Sequence, residues 1–245
     1  MTLTTPSRDK THVQEIKEIA IAIAIENLEP RRITEEFIKA NQIVDSRSQL
    51  NQTPYVHHDR AQLAFDNGVT IIARQNSLAF IEKINEGTNL LQITIVASQC
   101  IAKLSNINCQ GLKLEAKRLI PIPNKDASRS YLTEFLVASG AWQNYGLSPV
   151  KAGINFLYDL DRCKLNMAIS EATIKQKNKE QTWQKDGGGL LFSGTFTYPV
   201  FERDKLTHAK QAIANSQSDW QEFKQIIDRV FLNPENILLQ KIMFE

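Results

Sequence analysis

Between Glu18 and Val44 the chain changes its hydrophobic rhythm abruptly. Ile19, Ile21, Ile23 and Ile25 alternate with Ala20, Ala22 and Ala24, and a charged stretch follows. Side chains of a strand alternate between faces, so the four isoleucines share one side and the alanines the other. With both faces apolar, the pattern predicts a central strand covered closely on its alanine side as well. Pro30 closes the strand. Thr34 then offers an N-cap, with Glu35 and Glu36 in the first turn and Ile33 placed to staple onto Ile38, which predicts a helix over 35–43.

Downstream, Asn67-Gly68 is a strong hairpin signal, because a type I′ turn needs positive φ at both central residues. It predicts strands over 61–66 and 69–74, and a second turn at Asn76-Ser77 leads into a third over 78–84. The run 91–104 mixes β-branched residues with Ala, Ser and Gln, and its length favours a helix. A similar order then recurs. Strand 111–123 is followed by helix 130–142, stopped at Gly140, by strands 150–160, 163–175 and 190–201, and by helix 218–231. In that last helix Ser218 and Gln221 have capping-box spacing, and Trp220, Phe223, Ile227, Val230 and Phe231 share a face. The stretch 236–244 reads as one more strand.

The fold class expected is therefore α+β: a β-α-β-β-β-α unit used twice by internal duplication, in a largely antiparallel sheet with helices packed on one face. The divisions are a flexible tail over 1–15, a first half over 16–108, and a second half with the C-terminal strand over 109–245. Residues "FDNGVTIIARQNSLAFIE", "GAWQNYGLSPVKAGINFLYDL" and "LLFSGTFTYPV" resemble a group of cyanobacterial hypothetical proteins. That resemblance implies a bacterial cytoplasmic setting, with no activity and no site residues. In element order alone, the repeated unit is similar to the saddle of the TATA-box-binding-protein fold, and a fold does not carry a function.

Composition narrows the classes. Lys plus Arg number 29 against 27 Asp plus Glu, a net charge of +2, which lacks the basic excess of a dedicated nucleic-acid binder. Cys100, Cys109 and Cys163 are too few and too scattered for a disulfide framework or a CxxC site, which predicts a reduced, cytoplasmic location. The N-terminal residues lack the apolar core of a signal peptide, and the longest apolar run, Ile19–Ile25, is too short to span a bilayer.

No catalytic residue, cofactor or metal is expected from the motifs. His57-His58-Asp59 is the densest set of metal-ligand types, yet adjacent residues of an extended segment point opposite ways, so it reads as a solvated loop. Gly187-Gly188-Gly189 has no helix after it and reads as a flexible connection between two strands rather than a phosphate cradle. Ser193 lacks the GxSxG of a nucleophile elbow. Asp159 and Asp161 read as turn residues, and Cys163 as a packed thiol.

Two sets of cations remain as candidate contacts for nucleic acid or an acidic partner. One is the pairs Arg31-Arg32 and Lys117-Arg118; the other is the lysine loop of Lys175, Lys177, Lys179 and Lys185. The expected function is a non-enzymatic adaptor or scaffold acting through a protein partner or self-association, away from membranes. A nucleic-acid-binding saddle is the first alternative. An enzyme with a pocket between the halves, drawing on His57, Asp159 or His208, is the second.

Overall fold

The computed structural model describes residues 15–104, 107–122, 125–177, 183–199, 204–233 and 235. The expected tail, except for Glu15, and the expected strand over 236–244 lie outside these residues.

Among the described residues, nine strands form one sheet in the order β2-β3-β4-β5-β1-β6-β9-β8-β7, with every neighbouring pair antiparallel. They are β1 (Ile16–Glu26), β2 (Tyr55–Val56), β3 (Arg60–Ala64), β4 (Val69–Arg74), β5 (Ser77–Lys83), β6 (Asn108–Ile122), β7 (Gly153–Asp159), β8 (Lys164–Lys177) and β9 (Trp183–Thr197). The helices are α1 (Glu35–Ala40), α2 (Gln92–Lys103), α3 (Lys125–Ser130) and α4 (Lys205–Ile226). Wider π turns over Tyr131–Leu136 and Ile227–Phe231 prolong α3 and α4.

The four isoleucines of β1 are buried and begin one contiguous core. Ile21 stands between Phe80 of β5 and Leu114 of β6. The helices pack on this side, α2 over β5, α3 over β9 and α4 over β6. Among the described residues, nothing covers the alanine side as closely as the sequence pattern suggests. Ala20 and Ala22 are half-buried and Ala24 is exposed. A methyl group gives little apolar area to drive burial, so the chain folds with these alanines only partly covered.

Thr34 caps α1 as expected, its Oγ1 accepting from Phe37 N at 3.2 Å, and Ile33 and Ile38 are both buried. That helix ends at Ala40, earlier than the pattern suggests. The Asn67-Gly68 hairpin forms, but only Gly68 has positive φ (+87°) and its N–H donates to Phe65 O at 3.1 Å. This is a tight turn with a single left-handed glycine, not type I′. Asn67 keeps an ordinary φ, and its side chain accepts from Val69 N at 3.1 Å.

Three other boundaries differ. Helix α3 begins at Lys125, and Gly140 is extended backbone before a short 3-10 turn instead of a helix stop. Helix α4 begins at Lys205 with Asp204 as its cap, so Ser218 and Gln221 lie mid-helix, and Val230 is 63% exposed. The glycine run belongs to β9, where Gly187, Gly188 and Gly189 pair with Ile174, Thr173 and Ala172. At Gly194 the strand needs a missing side chain, since a Cβ would lie 2.8 Å from the Phe223 ring of α4.

Candidate functional site

Among the described residues no helix packs on the other face of the sheet, and the strand registers order the side chains of this helix-free face into rows. One row runs Tyr55, Gln62, Ile72, Ala79, Ala22, Lys113, Thr197, Lys164, Asp159 across all nine strands. The next runs Ala64, Thr70, Ile81, Ala20, Glu115, Thr195, Asn166, Leu157. Small and apolar side chains therefore collect over β4, β5 and β1. A charged column stands on β6, and hydroxyls and amides cover β9 and β8. An antiparallel sheet with one solvated face normally carries polar residues there, so Ala20, Ala22, Ala79, Ile72 and Ile81 form an unusually apolar strip.

The charges on this face are mostly paired. Lys117 Nζ lies 3.1 Å from Glu18 Oε1, and Lys113 Nζ 2.6 Å from Glu115 Oε1. Arg118 points to the helix side, where Glu15 and Asp228 hold it, the latter at 2.5 Å; burial opposes its charge, and the two carboxylates more than offset that. Arg31 and Arg32 sit on the 3-10 turn that follows β1, at the opposite end of the β1·β6 pair from Lys117 and Arg118. The two basic pairs thus do not converge on one patch. Lys175 and Lys177 fall in β8 and Lys185 in β9, on a hairpin that runs past the end of β6, while Lys179 lies outside the described residues.

A second constellation closes the lower end of the sheet. Asp159, Asp161 and Cys163 come together around a cleft of about 310 Å³, with Arg162, Lys164 and Tyr198. Behind it, Asp219 of α4 is fully buried and accepts from Tyr198 Oη and from Arg162, whose Nε is 2.7 Å away. Arg162 also reaches Glu222 at 2.5 Å. Burial pushes the Asp219 carboxyl up to about 6, with Arg162 opposing part of the rise. The Cys163 thiol is pushed up to about 11 by burial, so it remains a thiol at neutral pH. Arg162, Tyr198 and Asp219 come from distant parts of the chain, and no local spacing marks them.

His57, Asp159 and His208 are not brought together: β2 and β7 are opposite edges of the sheet, and His208 is on α4. Ser193 faces the helix-free side between Lys117 and Ala168. The turn from β2 to β3, however, gathers ligand atoms of His57, His58 and Asp59 within 4.8 Å of one another, all three residues exposed. The chain reverses there instead of staying extended, since His57 N donates to Arg60 O at 2.7 Å. That corrects the expectation that the two rings point apart.

Among the described residues, no helix is long and apolar enough to cross a membrane. Comparison with protein-family models and with curated proteins gives no match.

Proposed function

We propose that the chain is a non-enzymatic interaction platform that offers the helix-free face of its sheet to a partner protein. The observation that carries this reading is the apolar strip of Ala20, Ala22, Ala79, Ile72 and Ile81. Its short side chains let another backbone or sheet approach closely, and the flanking charges and hydroxyls supply a polar rim. The finer reading, two duplicated β-α-β-β-β-α units over 16–108 and 109–245, belongs to the same proposal. Support comes from the sheet order, in which β1 and β6 are central neighbours and each is flanked by the last strand before its own long helix, β5 or β9. A cytoplasmic setting is part of the proposal too, supported by three free, buried cysteines.

The test is affinity capture from the native host with the wild-type chain and with Ala22→Glu. The new carboxylate stands opposite Lys113 of β6, an opposite-charge cross-strand pair, so the variant's stability should stay within about 0.5 kcal/mol of the wild type. Loss of a wild-type partner from this variant, by at least about tenfold, is the expected result. Recovery of the chain alone, or equal capture by both, would overturn the platform.

One observation favours the nucleic-acid reading. Arg60 and Arg74 stand directly opposite each other across β3 and β4 on the same face, where like charges cost stability. Fluorescence anisotropy with labelled single-stranded RNA and DNA separates the two readings. The platform predicts no binding at low salt, whereas the saddle requires binding that Arg60→Ala with Arg74→Ala abolishes.

A further inference from the structure

We propose that His57, His58 and Asp59 bind a divalent transition-metal ion at the turn between β2 and β3. Three consecutive residues rarely aim their ligand atoms at one point, because an extended chain sends neighbours to opposite sides. Here the reversal closed by the bond from His57 N to Arg60 O brings all three within 4.8 Å of one another. The two imidazole rings lie 5.9 Å apart and tilted by 60°. Tyr55 stacks on His57 at 5.3 Å and 19°, which limits the rotation of that ring.

In a tetrahedral sphere with metal–nitrogen bonds of about 2.0–2.1 Å, donor atoms stand about 3.3 Å apart. The site must therefore close by about 1.5 Å, a shift within reach of side-chain torsions on exposed residues. Two imidazoles and one carboxylate suit zinc, nickel, cobalt or copper, and not magnesium or calcium, which prefer oxygen-only sets. Three protein ligands leave coordination positions to water or to a ligand from another molecule. Arg60, bonded to Gln62 beside the turn, adds a positive charge that opposes the ion. The expected binding is accordingly reversible.

The experiment is calorimetric titration of the full, untagged chain with Ni²⁺ and Zn²⁺ at neutral pH. One ion per chain with a Kd tighter than about 100 μM is expected. His57→Ala and His58→Ala should each weaken binding at least about tenfold, and Asp59→Asn by less. The remaining histidines serve as the control: a His12→Ala, His208→Ala variant should bind like the wild type. In amide spectra with Co²⁺, paramagnetic broadening should centre on residues 55–62. No saturation at millimolar metal, binding by His57→Ala or His58→Ala equal to that of the wild type, loss of binding in the control, or broadening centred elsewhere would each overturn the site. His57, His58 and Asp59 are exposed, and unchanged thermal melts of all four variants would separate lost ligation from lost fold.

Discussion

At Asp219 burial and pairing pull in opposite directions. The carboxyl is fully buried, which raises it from an ordinary 3.8 to about 6, while Arg162 draws it back only in part. An acid raised on folding binds its proton more tightly in the native state than in the unfolded chain. Its contribution to stability is therefore fully present below about pH 4 and is lost as pH rises through about 6. Asp219→Asn should remove that slope: denaturant titrations between pH 4 and 7 should show the wild type losing stability relative to the variant by a few kcal/mol at most. Parallel profiles would show that Asp219 titrates normally. Gly194 is a steric case. Phe223 is buried and lies beside Trp220, with ring centroids 5.8 Å apart, so it has little room to withdraw from a Cβ placed 2.8 Å away. Gly194→Ala is expected to cost about 1–3 kcal/mol in urea unfolding, and an unchanged midpoint would mean that α4 shifts freely.

Among the elements, α2 shows why local sequence is insufficient to explain an end. Its N-cap, Leu91, supplies no side-chain acceptor, yet the first turn needs one. Glu82 of β5 provides it from eleven residues upstream of Ile93, its Oε2 accepting from Ile93 N at 2.8 Å while 2% exposed. Burial raises this carboxyl as well, against the backbone hydrogen bonds that lower it. Glu82→Ala should destabilise the fold by about 1–3 kcal/mol through unpaired buried donors, with amide exchange accelerated first at Gln92 and Ile93. Elements with strong period, such as β1, β5 and the Trp220 end of α4, were legible in the sequence because large side chains mark one face. The first half of α4 was not. Its buried face is Ala209, Ala212, Ile213 and Ser216, mostly small residues that carry little hydrophobic signal, and the Ser218–Gln221 spacing imitates a helix start. The glycines of β9 misled for the same reason, since a strand pressed between two neighbours can dispense with side chains. In the cleft, Asp159, Asp161 and Cys163 could be picked out singly, but Tyr198 and Asp219 meet Arg162 only through the fold.

For the whole molecule, the decisive contact is the seam between β1 and β6, which runs in register from Ile16 opposite Leu119 to Ala24 opposite Gly111, then slips once before Ile25. Above it α2 and α4 are joined by Thr94 Oγ1 and Ser216 Oγ at 2.6 Å and by Leu91 N donating to Gln217 at 2.8 Å. The core is continuous across that seam, so the regions 16–108 and 109–245 should not unfold separately, although chains of this length often populate intermediates. The tryptophans make this testable. Trp142, Trp183 and Trp220 all lie in the second region, so their fluorescence reports on that region alone. Ile21 lies in the first, fully buried opposite Phe80 and Leu114. Ile21→Ala should cost about 2–5 kcal/mol. If the seam couples the halves, the fluorescence midpoint in urea should fall with the far-ultraviolet dichroism midpoint, by the same amount. A fluorescence transition that stays at its wild-type midpoint while part of the dichroism signal is lost early would mean that the sheet is continuous in hydrogen bonds but divided in stability. A partner bound across β4, β5 and β1 would then stabilise only the half it touches.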